Sequence, residues 1–232
     1  MAFITIDSFE GGLDYRWQTN NVTRTTDVVY DGDESVTGTA NDGYLIWTGA
    51  GHERDQYVGG WFYGGGTVRV GGTGTDLVSD EWFIIEYEPS TATLTISETE
   101  NGAQLASESG DVDLSDEFAQ VVVQLTTTGF VTARLNRQGG GTPVLVSSSD
   151  WRFSPGSYWA LGVSDDSPTF RSYVDAAVME RLPPETPDAA SATFDSGTYT
   201  IDVGWTDDSG FYQEPARFDI LRATAPGDTA DD

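Results

Sequence analysis

Apolar and polar residues alternate with a period of two along much of this chain. In Thr93-Leu94-Thr95-Ile96-Ser97 both apolar side chains fall on one face, because successive residues of a strand point to opposite sides. Gln120-Val121-Val122-Val123-Gln124-Leu125 is more continuously apolar and reads as a more fully buried strand. Runs rich in Val, Ile, Thr, Tyr, Phe and Trp predict strands at residues 3–6, 27–30, 44–48, 57–63, 67–70 and 81–88. Further strands are predicted at 92–97, 120–126, 131–135, 143–146, 158–163 and 171–181. Helical periodicity is absent, although 175–182 fits either one helical turn or the end of a strand. The 27 glycines cluster between runs, as in Gly64-Gly65-Gly66 and Gly139-Gly140-Gly141. Many short strands joined by glycine turns predict an all-β chain, a two-sheet antiparallel β-sandwich or jelly roll, with a small C-terminal β segment.

The pattern breaks at Leu182-Pro183-Pro184-Glu185-Thr186-Pro187. Proline lacks an N–H and disfavours both helix and central strand, so we place a boundary there. Residues 1–182 form the main domain and 183–232 a shorter segment, expected to pack on the first domain or on a neighbouring subunit. The end of the chain, from Ala225, is small-residue-rich and acidic and is expected to fray.

Charge changes the picture most. The chain has 38 acidic and 11 basic residues, a formal net charge of −27, and every basic residue is Arg. Such a surface repels itself in dilute buffer. About 1 M salt shortens the Debye length to roughly 3 Å and removes most of that cost. The acidic, lysine-free composition resembles that of proteins from halophilic archaea and their viruses. Scattered Arg residues on so negative a chain exclude a nucleic-acid partner and disfavour anionic membranes. No segment has the length of a membrane-spanning helix, so membrane insertion is not expected. Met1-Ala2-Phe3-Ile4-Thr5-Ile6 lacks a basic, then long apolar, leader. The expectation is a protein that stays inside or leaves by another route, such as within a virion. With no cysteine, neither disulfides nor thiolate metal sites arise.

Several motifs appear in a recognisable order. Asp7-Ser8-Phe9-Glu10-Gly11-Gly12-Leu13 opens the chain, followed by Glu81-Trp82-Phe83-Ile84-Ile85-Glu86-Tyr87 and the hairpin around Thr93–Ile96 and Gly102–Ser107. Tyr158-Trp159-Ala160-Leu161-Gly162-Val163 and Tyr173-Val174-Asp175-Ala176-Ala177-Val178 close it. Together they resemble the concanavalin A-like lectin/glucanase superfamily in its laminin-G-like form, over residues 1–182. Where that family usually has a second acidic residue, this chain has Ala176. Beyond the prolines, Thr200-Ile201-Asp202-Val203-Gly204-Trp205 and Phe218-Asp219-Ile220-Leu221-Arg222-Ala223 resemble the first half of a fibronectin type III domain.

Catalytic constellations are sparse. The single histidine, His52, lies in Gly51-His52-Glu53-Arg54-Asp55 and reads as a loop residue. No Gly-x-Ser-x-Gly elbow occurs. Glucanases of the superfamily use paired carboxylates on one strand face. Here Glu86 and Glu88 share a face and Glu81 falls on the other, a spacing that departs from the enzyme pattern and fits a solvated acidic face. No catalytic residue is assigned, and the expectation is a non-enzyme. Asp111, Asp113 and Asp116 offer oxygen ligands for a hard cation such as Ca²⁺, without the spacing of an EF-hand. Asp31-Gly32-Asp33-Glu34 is a similar loop. Sugars stack on aromatic rings, and Trp61, Tyr63, Trp151 and Trp159 are candidate platforms, though the same residues fit a core. Asn21-Val22-Thr23 is a glycosylation sequon.

These features together lead to an expected structural or adhesion protein on the surface of a haloarchaeal virus particle, as turret, spike or tail-fibre component. Its partners would be other virion proteins, copies of itself, and host surface-layer glycoprotein or glycans. The alternative is a secreted or cell-surface carbohydrate-binding protein of a halophilic archaeon, with a glycoside hydrolase further behind.

Overall fold

The computed structural model describes residues 3–40, 43–49, 53–99, 102–150, 153–167, 170–180, 189–195 and 198–204. The chain divides into two compact units, Met1–Arg181 and Leu182–Asp232.

Strands follow one another with turns between them. They are β1 (Phe3–Asp7), β2 (Trp17–Asn20), β3 (Val22–Thr25), β4 (Ser35–Gly38), β5 (Gly43–Trp47), β6 (Tyr57–Tyr63), β7 (Gly66–Gly72) and β8 (Phe83–Glu88). After a 3-10 turn at Pro89–Thr91 come β9 (Thr93–Glu98), β10 (Gln104–Ser109), β11 (Ala119–Leu125), β12 (Val131–Arg137), β13 (Val144–Ser148) and β14 (Tyr158–Val163). The short pair β15 (Asp165–Ser167) and β16 (Phe170–Arg171) precedes β17 (Tyr173–Glu180). The second unit contributes β18 (Ala189–Asp195) and β19 (Thr198–Gly204), paired antiparallel.

Two antiparallel sheets make the sandwich. The first has the order β13-β12-β11-β6-β17-β4-β3, with β1 also on β17; the second has the order β10-β9-β8-β7-β14-β5-β2. Alternation in the sequence decides which side chains meet between them. In β9 the buried Leu94 and Ile96 face inward while Thr93 and Thr95 stay partly exposed. Phe62, Val68, Val70, Phe83, Ile85, Val121, Val123, Leu161 and Val174 join them in the core. Burying such side chains stabilises the fold by roughly 1.5–3 kcal/mol each.

The opening motif has a physical reason. Asp7 accepts the N–H of Phe9 at 2.7 Å and the indole N–H of Trp17 at 2.7 Å. It therefore turns the chain sharply, with Phe9 at φ 62°, and seats two buried aromatics. Glu10 then accepts the N–H groups of Asp33 (2.8 Å) and Glu34 (3.0 Å), while Glu34 accepts from Gly11 (3.2 Å).

Two expectations change. Residues 27–30 are apolar enough for a strand, but they form a bent loop instead. Val28 and Tyr30 find apolar and polar partners on the outer face of the first sheet, so tertiary contacts override local preference. At 175–180 the helix alternative fails: β17 stays extended, with its register shifted between Asp175 and Val178 and Ala176 at φ 52°. Such a bulge bends the strand locally. The fibronectin-like strand around Phe218 lies outside the described residues, as do Trp205 and His52.

Candidate functional site

The second sheet carries a groove on its outer face. Register places Tyr44 of β5, Gly162 of β14, Thr67 of β7, Glu86 of β8 and Thr95 of β9 in one row across five strands. The next row holds Ile46, Ala160, Arg69 and Ile84. Neighbouring strands lie about 4.8 Å apart, so the first row spans roughly 19 Å. Gly162 sits between Tyr44 and Thr67 in that row and has no side chain. A Cβ there would stand 2.1 Å from Thr67 Oγ1. The Thr67 hydroxyl fills the space a side chain at Gly162 would take, so the glycine lets Thr67 lie across the β14 backbone and line the groove there.

A strap of residues 73–82 closes one side. Its last residue, Trp82, is buried in a cluster with Ile46 and Ala160, against which Tyr44, Leu77, Ile84 and Tyr158 pack. The Trp82 indole N–H donates to the Asp76 carbonyl at 3.2 Å. Beneath the strap, Arg69 Nη1 donates to the Leu77 carbonyl at 3.2 Å. The groove encloses about 670 Å³, lined by Tyr44, Thr67, Arg69, Leu77, Val78 and Glu86 among others. That volume is in the range of small-molecule sites.

Electrostatics mark Arg69 out. Burial holds its guanidinium below the usual arginine range, opposed by the nearby Glu86 and Tyr44. Among the described residues Arg16 pairs with Asp14 and Arg24 with Glu34, whereas Arg69 makes no ion pair. A guanidinium has five donor hydrogens, so most of Arg69's remain available. Glu86 is exposed across the adjacent strand, with its acceptor oxygens facing water. Glu88 lies on the same face, as its parity with Glu86 requires.

The sequence-derived candidates go elsewhere. Trp61 and Tyr63 project from β6 on the outer face of the first sheet, not into the groove. The Trp61 ring stacks on Tyr30 with centroids 4.2 Å apart and planes 13° apart. Tyr63 meets Phe118 at 5.4 Å and Tyr173 at 6.1 Å. Both are half-buried within this aromatic cluster. Trp159 is 0 % exposed and cannot stack on a sugar. It faces inward and packs with Trp17 (5.3 Å) and Trp47 (6.1 Å), one indole from each of three adjacent strands. Trp151 lies outside the described residues.

Asp111, Asp113 and Asp116 do not converge into a cation site. Among the described residues no three acidic or histidine groups come together to hold a metal. Asp113 is spent locally, accepting the Ser115 N–H at 2.9 Å and its hydroxyl at 2.6 Å, which lowers the Asp113 carboxyl. Asp111 instead borders a second depression of about 540 Å³ between β10 and β13. The groove residues Arg69 and Tyr44 were not singled out by sequence, because no local motif marks them. Only the register brings them around Gly162.

No protein-family model and no curated protein matches this chain. Solved structures do. Lectin I-B4 from Griffonia simplicifolia, in its metal-free form, aligns with a TM-score of 0.53 at 12 % identity, over 78 % of this chain and 99 % of that one. The carbohydrate-binding module CBM66 from Bacillus subtilis aligns at 0.50 and 13 %, over 71 % and 95 %. The Ca²⁺-bound exoplasmic/lumenal domain of VIP36 aligns at 0.50 and 12 %, over 87 % and 96 %. At these identities the likeness establishes the fold alone: an antiparallel jelly-roll β-sandwich like that of these structures.

Proposed function

We propose that this protein is a glycan-binding module whose ligand lies along the groove over Gly162. The observation that carries the reading is a desolvated donor, Arg69, and an exposed acceptor, Glu86, lining one groove together with Thr67 and Tyr44. Sugar hydroxyls both donate and accept. Arg69 would donate to one ring oxygen or hydroxyl and Glu86 would accept from another. Tyr44 offers an aromatic surface to the apolar face of a pyranose. The row of five strands is longer than one sugar ring, which favours a short oligosaccharide. That a lectin and a carbohydrate-binding module share this fold supports the reading.

The test is retention of the full chain on a panel of immobilised oligosaccharides in molar salt. Losing a hydrogen bond to a charged group costs about 1.5–3 kcal/mol, so Arg69→Gln and Glu86→Ala should each weaken binding about tenfold or more. If the panel retains nothing, or both variants bind like the parent, the reading is wrong.

For the setting we propose the surface of a haloarchaeal virus particle, where the module would meet host glycans. The feature that favours it is a charge of −27 with no lysine. A secreted or cell-surface protein of a halophile is the alternative. Immunogold imaging of purified particles separates them: label on particles supports the first, and label confined to cells and medium removes it.

A further inference from the structure

The strap beside the groove ends its outward excursion in an apolar residue that the fold does not use. Val78 is 93 % exposed. Its neighbour Leu77 supplies the packing, against the Ile46–Trp82–Ala160 cluster, and the carbonyl that holds Arg69. Single exposed hydrophobics are common on protein surfaces. Val78 differs in being held rigidly at the lip of a cavity. Asp76 Oδ1 accepts the N–H of Val78 at 2.8 Å and of Ser79 at 3.2 Å. Asp80 Oδ2 accepts the Asp76 N–H at 2.7 Å, and the Asp80 N–H donates back to the Asp76 carbonyl at 3.1 Å. The indole of Trp82 ties that carbonyl to the core as well. A turn knotted by two aspartates would accept Ser, Asn or Asp at position 78 on local grounds. A β-branched side chain with few rotamers loses little freedom on contact.

Resting on the reading of the groove as a glycan site, we infer that Val78, with Leu77 beneath it, forms an apolar lip that selects sugars carrying an alkyl substituent. The class is a 6-deoxyhexose or N-acetylhexosamine in preference to the unsubstituted hexose. Arg69 and Glu86 hold ring hydroxyls, and the methyl of the substituent lies against Val78. The contact removes a methyl-sized surface from water on both partners. That is worth about a fourfold or greater difference in affinity between matched ligands.

The experiment is calorimetric titration of the full chain, in molar salt, with matched pairs of short oligosaccharides that differ only in the deoxy or N-acetyl group. The parent should prefer the substituted member about fourfold or more. Val78→Ser should bring the ratio close to one, and Val78→Ile should keep it. Arg69→Gln should weaken both members alike. A parent ratio of one, or an unchanged ratio in Val78→Ser, overturns the lip. If Arg69→Gln weakens both members while Val78→Ser leaves the ratio alone, the groove survives and the lip falls. If no member of any pair binds, both fall together. Thermal unfolding of each variant checks that the strap remains folded.

Discussion

Asp175 and Tyr30 are 145 positions apart in the chain, yet the buried Asp175 carboxylate accepts the Tyr30 backbone N–H at 2.7 Å. The same oxygen accepts from Asp31 at 3.1 Å. Asp175 pairs with Trp61 across β17 and β6, and the Tyr30 ring lies on that Trp61. One carboxylate and one aromatic stack thus hold the loop after β3 on the outer face of the first sheet.

This arrangement predicts a pH dependence. Burial pushes the Asp175 carboxyl above the ordinary range, although its backbone hydrogen bonds pull the other way. A raised value in the folded state means that folding favours the protonated form. The associated stability is complete below the ordinary aspartate value, about 3.9, and is lost as pH rises through the raised one. Asp175→Asn should therefore gain on the parent in Tm from about pH 4 upward. Asp175→Ala leaves two N–H groups without an acceptor and should cost about 1–3 kcal/mol. Thermal unfolding against pH in molar salt reads both.

Two glycines should respond differently to the same methyl group. In Gly162→Ala the added Cβ meets a hydroxyl, Thr67 Oγ1, which can rotate away. The variant should fold, push the Thr67 side chain into the groove and lose about tenfold or more in glycan affinity. In Gly59→Ala the Cβ would stand 1.9 Å from the Val121 main-chain oxygen of the paired strand. That atom cannot move without breaking the ladder, so destabilisation of about 1–3 kcal/mol or more is expected. Titration and denaturant unfolding on both variants make the comparison.

Trp159 gives a control on the aromatic candidates. Trp159→Ala opens a cavity between the sheets and should cost about 3–5 kcal/mol. Trp159→Phe should recover much of that and bind glycan like the parent. A selective loss of glycan affinity in the well-folded Phe variant would contradict its assignment to the core.

Salt should act on folding far more than on the groove. Unfolding of the parent should shift to higher temperature as NaCl rises from about 0.1 M to 1 M and beyond, as charge repulsion is screened. Affinity for an uncharged oligosaccharide should change little over the salt range in which the protein stays folded. Scanning calorimetry and titration at matched salt concentrations test the two halves.

The architecture was readable where strands are apolar. The spans 57–63 and 158–163 agree with β6 and β14 residue for residue. Strands missed by the sequence reading include the short edge and near-edge elements Trp17–Asn20, Val22–Thr25 and Ser35–Gly38. In the first two most polar side chains face water, and in Ser35–Gly38 the buried Ser35 and Thr37 donate to the carbonyls of Val28 and Ser172, so none of them shows an apolar alternation. The site was hidden for a different reason. Tyr44, Arg69, Glu86 and Gly162 come from four strands, and only inter-strand register makes them neighbours. Aromatic content pointed instead to Trp61 and Trp159, which one stacked tyrosine and two neighbouring indoles already occupy.

The second sheet turns Val68, Ile85 and Leu161 to the core and Thr67, Glu86 and Tyr44 to the groove, and this separates two evolutionary tasks. The sandwich can hold its shape while Tyr44, Thr67 and Val78 vary around a constant base. Drift at those three positions would turn one scaffold into a set of receptors with different tastes, each inheriting the same core.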